Sequence, residues 1–191
     1  MRQLLLMTLL SFAFISCGSN KKTDAENKEA TVKSITVAPV DEKEKKTEEL
    51  KKAPQLTLEQ MRTLLPHELD SAKEKNYQAS TQFGYGLATA EYKTKTKGMK
   101  VTLYDCAGEQ GFVNYFENYW NHLNAQNQTE AEFRKTIDFE GGKAIETYKK
   151  DMHLSTLTFV IRDRLVIVME GKNMSPEELE VAAKKLHAKI A

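Results

Sequence analysis

LSTLTFVIRDRLVIVM, residues Leu154–Met169, decides the fold of this chain. Two runs of β-branched and aliphatic residues, Leu154 to Ile161 and Leu165 to Met169, flank a charged turn at Arg162-Asp163-Arg164. Runs of this length bounded by turn residues read as strands, and their apolar density reads as the centre of a sheet. Moving outward, Phe133, Ile137 and Phe139 alternate with polar residues, as in a half-buried strand. Gly141-Gly142 signals a hairpin, and Lys143 to Lys149 returns. Further upstream, Leu87 to Thr94 and Met99 to Cys106 flank a short turn containing Gly98. Strand pairs joined by short turns pair antiparallel.

Three helices frame these strands. Thr57 and Gln60 form a T-x-x-Q capping box, Leu58, Met61 and Leu65 share one face, and Pro66 ends the run. Phe112, Phe116, Tyr119, Trp120 and Leu123 mark a middle helix over about Phe112 to Leu123. The last helix carries a second capping box, Ser175 with Glu178, and Pro176 in its first turn. Its stripe is Leu179, Ala182, Ala183, Leu186 and Ile190. The expected fold class is α+β: a mostly antiparallel sheet of about six strands with three helices packed on it, in the order α-β-β-α-β-β-β-β-α.

The start of the chain has another character. Arg2, an apolar run from Leu4 to Ile15, and Ser16 before Cys17 have the layout of a signal peptide. The run is shorter than the roughly 20 residues a membrane-spanning helix needs. Phe14-Ile15-Ser16-Cys17 resembles the bacterial lipobox, with Phe14 where Leu is usual. The resemblance covers the first seventeen residues. It implies removal of residues 1–16 and acylation of Cys17, giving a membrane partner through the acyl chains. Two or more chains anchor stably where one is marginal. Gly18 after the Cys, in place of Asp, points to the outer membrane facing the periplasm.

Residues 17–53 are rich in Lys, Glu, Asp and Thr and carry no aromatic residue. They read as a flexible, charged linker, reaching roughly 30–35 Å as a coil. Residues 54–191 hold every Tyr, the only Trp and nearly all the Phe, and form a single domain. With 28 Lys and Arg against 27 Asp and Glu, the chain lacks the basic footprint of a nucleic-acid binder.

Few residues stand out as chemistry. With Cys17 acylated, Cys106 has no disulfide partner, and it reads as a buried thiol or, before a helix start, a reactive one. His67, His122, His153 and His187 have no metal-ligand spacing, so neither a metal nor a cofactor is expected. G-x-S-x-G is absent from the sequence. Gly84-Tyr85-Gly86 leads into a strand, the wrong context for a dinucleotide fingerprint. Gly108-Glu109-Gln110-Gly111 leads into the aromatic helix, as an ordinary turn or as an anion cradle. Tyr115 and Tyr119 on that helix read as core or as the wall of a binding surface, with Tyr115 the more exposed.

The expected binding surface is Gly108, Gly111, Tyr115 and Tyr119. The expected function is a non-catalytic envelope lipoprotein that binds a protein partner or a small amphipathic ligand. An envelope enzyme of hydrolase type and a structural spacer are the alternatives. A cleft holding perturbed titratable groups would mark the enzyme.

Overall fold

The computed structural model describes residues 40–191, so the signal peptide, Cys17 and residues 17–39 lie outside the described residues. Helices α1 (Val40–Lys52) and α2 (Leu58–Leu64) come first. Two hairpins follow: β1 (Glu68–Leu69) with β2 (Ala72–Ser80), and β3 (Gly86–Lys93) with β4 (Gly98–Asp105). Helix α3 (Gly108–Asn118) and a 3-10 turn at Trp120–His122 cross the sheet. Strands β5 (Asn127–Gln128), β6 (Glu132–Phe139), β7 (Gly142–Lys149), β8 (Leu154–Ile161) and β9 (Leu165–Lys172) then run as a meander, and α4 (Pro176–Ile190) ends the fold.

All nine strands form one antiparallel sheet in the order β1-β2-β3-β4-β9-β8-β7-β6-β5. The last strand of the meander, β9, docks beside β4 and so joins the two halves, with Leu103 opposite Ile167 and Val101 opposite Met169. The turns follow local chemistry. Glu140 and Gly141, with φ of 46° and 81°, make the two-residue β6–β7 turn, one position ahead of the Gly-Gly pair. Arg162 and Asp163, with φ of 53° and 56°, begin the β8–β9 turn.

Alternation sends side chains to two faces. The first face carries Ala88, Ala90, Tyr92, Val101, Leu103, Leu157, Phe159, Ile167 and Met169, all buried under α2 and α4. Tyr92 keeps its hydroxyl satisfied there by donating to the Pro66 carbonyl at 2.7 Å. The second face carries Tyr104, Ile145, Val160, Val166 and Val168, in a smaller cluster with the aromatics of α3. No helix among the described residues is long and apolar enough to cross a membrane.

The expected fold class needs correction. The sheet has nine strands where about six were expected, and the described residues hold four α-helices where three were expected, in a different order. Strand β2 escaped notice because its sequence, AKEKNYQAS, is charged at the sheet margin. A bulge between Lys75 and Gln78, with Asn76 at φ 52°, also breaks its alternation. Strands β1 and β5 have two residues each, too few for a periodic signal. Helix α3 begins at Gly108, four residues ahead of the expected Phe112 start, and gives way to the 3-10 turn before Leu123.

Helix α1 lies within the stretch, residues 17–53, read as a flexible, charged linker. Leu50 is 2 % exposed within the second cluster. Lys43 stands over the Phe116 ring at 5.2 Å, Lys46 over Tyr115 at 5.5 Å and Lys51 over Phe112 at 4.9 Å. Lysine stems and ammonium groups therefore do the docking that an aliphatic stripe does elsewhere.

Candidate functional site

The surface expected around α3 begins where β4 ends. Asp105 is fully buried, and its carboxylate ties three segments together. It accepts from the Leu56 N–H at 2.7 Å, the Ala107 N–H at 3.3 Å, and Arg164 Nε and Nη2 at 2.9 and 2.5 Å. The carboxylate is thus saturated, and it clamps the approaches to α2 and α3 onto the β8–β9 turn. Gln55 sits on the same knot, donating to the carbonyls of Ala107, at 3.2 Å, and Gly84.

The two glycines of the α3 turn serve this knot. Gly108 has φ 83°, and a Cβ there would stand 2.5 Å from Gln55 Nε2. Gly111 is buried, and its absent Cβ would meet the Asp105 carbonyl oxygen at 2.9 Å. Both positions let helix and strand end press together. Gln55 fills the space beside Gly108, so the turn reads as packing rather than as an anion cradle.

Tyr115 and Tyr119 are brought together, but inside. Tyr115 is 6 % exposed and Tyr119 7 % exposed, so the expectation that Tyr115 is the more exposed is overturned. The Tyr115 ring meets Phe116, Tyr119 and Trp120 at 5.4, 5.7 and 6.1 Å between centroids, and Lys46 of α1 covers it. Tyr119 donates its hydroxyl to the Lys143 carbonyl at 2.8 Å. Burial pushes both phenols above their ordinary pKa.

Cys106 shares this cluster. It is fully buried, and desolvation pushes its thiol up to about 12. A thiol that stays protonated is a small hydrophobe rather than a nucleophile. The other strongly shifted groups, Tyr92 and Tyr115, are also core residues raised by burial. Glu146, 5 % exposed on β7, meets Nζ of its β6 partner Lys135 at 2.9 Å off the hydrogen-bond direction. The histidines are scattered: His67 bonds Glu74, His122 bonds the Glu117 carbonyl, and His187 packs on Phe139 and Phe159.

An accessible aromatic row borders the second cluster, and reading the sequence missed it. Phe83, in the β2–β3 turn, is 60 % exposed. Its ring lies 6.0 Å from Tyr85, which lies 6.4 Å from Tyr104, a member of the cluster. Val113 on α3 is 44 % exposed. Next to the row the second face carries threonines: Thr89 pairs with Thr102, and Thr102 with Val168, which pairs with Thr158. The available signal was a large aromatic in a glycine-flanked turn, Phe83-Gly84-Tyr85, where burial offers it no place.

The architecture defines a class, an antiparallel sheet with helices on both faces. Comparison with protein families, curated proteins and solved structures gives no match for this chain.

Proposed function

We propose that this protein is a lipid-anchored lipoprotein of the bacterial envelope, facing the periplasm from the outer membrane, whose domain binds a protein partner. The anchor rests on the signal-peptide layout that ends at Cys17. The binding role rests on one observation, the accessible row Phe83–Tyr85–Tyr104 running into the second cluster. An exposed phenylalanine leading through two half-buried tyrosines, beside a strip of threonines, has the composition of an interface centre, where aromatic anchors dominate affinity. A protein partner fits better than a small amphipathic ligand because the row lies on an open rim, whereas small ligands favour enclosing pockets.

The two halves have separate tests. Metabolic labelling with a fatty-acid probe reads the anchor: the parent takes label and Cys17→Ser does not, and equal label in both defeats lipidation. A photo-crosslinking amino acid at Phe83 in cells reads the surface. The expected result is one discrete adduct that is missing when the probe sits at Val181, an exposed position on α4. Identical adducts from both positions, or none from Phe83, defeat the binding reading.

A further inference from the structure

We propose that the face of α3 beneath α1 is a second, latent docking surface, for a helix that carries a leucine and lysines in the register of α1. The template for that partner is α1 itself. Lys43, Lys46 and Leu50 follow one another at helical spacing on the side turned to α3, and Lys51 flanks them. What they cover is an aromatic wall: Phe112, Tyr115 and Phe116. The wall holds cations over ring faces, and Glu109 adds a carboxylate 3.6 Å from Lys51 Nζ. A lysine-bearing helix is the chemistry it recognises.

Helix α1 is suited to leave. Among its described side chains Leu50 is the one fully sequestered aliphatic, and the rest of the contact is made by lysines laid along the rings, with Lys43 exposed, Lys51 29 % exposed and Lys46 14 % exposed. Thirteen residues of helix are marginal without a docking partner. Its departure would open the wall beside Tyr104, continuous with the row already accessible. The use of this opening to control capture rests on the partner-binding reading above; the opening itself rests on the geometry of α1.

The test supplies the occupant in trans. A fluorescent, lactam-bridged helical peptide of residues 40–52 is titrated into the full-length protein and two variants. One is Leu50→Ala, and the other exchanges Lys43, Lys46 and Lys51 for Gln. Both weaken the resident helix, and the lysine exchanges keep the stems that lie along the rings while removing the charge; circular dichroism verifies that both variants keep their fold. The peptide should bind both variants at least about tenfold more tightly than the parent, whose own α1 competes at high effective concentration. Equal affinity for parent and variants, or binding to none, overturns the proposal. The Phe83 crosslink needs no movement of α1, so its failure defeats the partner reading while leaving the peptide result intact.

Discussion

Helices α1 and α4 cover opposite faces of the same sheet by different means. Helix α4 opens on a complete capping box: Ser175 accepts from the Glu178 N–H, and Glu178 accepts from the Ser175 N–H. It then buries Leu179, Ala182, Ala183, Leu186 and Ile190. Each large aliphatic side chain in such a stripe contributes about 1.5–3 kcal/mol. Helix α1 buries Leu50 and holds on further with the Lys51–Glu109 ion pair and three cation–π contacts, worth about 0.5–1 kcal/mol each at exposed sites and about 2 kcal/mol where desolvated, as the 14 % exposed Lys46 side chain is. Helix α4 is therefore expected to unfold with the sheet, and α1 to release at lower cost.

The sharpest contrast comes from truncating the two leucines. Leu186→Ala should lower the global stability of the domain by about 2–5 kcal/mol, because it leaves a cavity between α4 and the sheet. A urea melt followed by far-ultraviolet circular dichroism measures this, and an unchanged midpoint would place α4 outside the cooperative unit. Leu50→Ala should cost about 2 kcal/mol of α1 docking. Its main effect should be faster tryptic cutting within 43–52, with a smaller shift of the global melt. A loss as large and as global as that of Leu186→Ala would erase the distinction.

Alkali probes the core that α1 and α3 cover. Cys106 moves from an ordinary 9.0 to about 12 by desolvation, so the folded state favours its protonated thiol. The stability it contributes is therefore full below pH 9 and is lost progressively between pH 9 and 12. A series of melts across that range should fall more steeply for the parent than for Cys106→Ala. Parallel curves would mean the thiol is not in a dry environment. The smallest effect belongs to the α4 cap: Ser175→Ala should cost about 1 kcal/mol by leaving the Glu178 N–H without its acceptor.

The same contrast explains what the sequence made legible. Aliphatic stripes and capping residues announced α2 and α4, and β-branched runs announced β8 and β9, because burial of such residues leaves a periodic mark. Lys43, Lys46 and Lys51 leave no such mark, since lysine on a helix normally points to water and its use against a ring depends on a tertiary neighbour. Tyr115 was visible as part of an aromatic stripe, but whether the stripe faced solvent depended on α1. Gly108 and Gly111 were visible as a turn, while their packing reason, Gln55 and the end of β4, lay in residues distant in sequence. Phe83 was hidden in a turn too short to carry a period.

Native-state hydrogen exchange of the full-length protein tests the difference between the two helices most directly. The amides of α1 should exchange through a low-energy opening that leaves α4 and β9 protected, and Leu50→Ala should speed α1 exchange selectively. Exchange of α1, α4 and β9 at one common free energy would contradict the account, because α1 would then be as much a part of the folded core as α4.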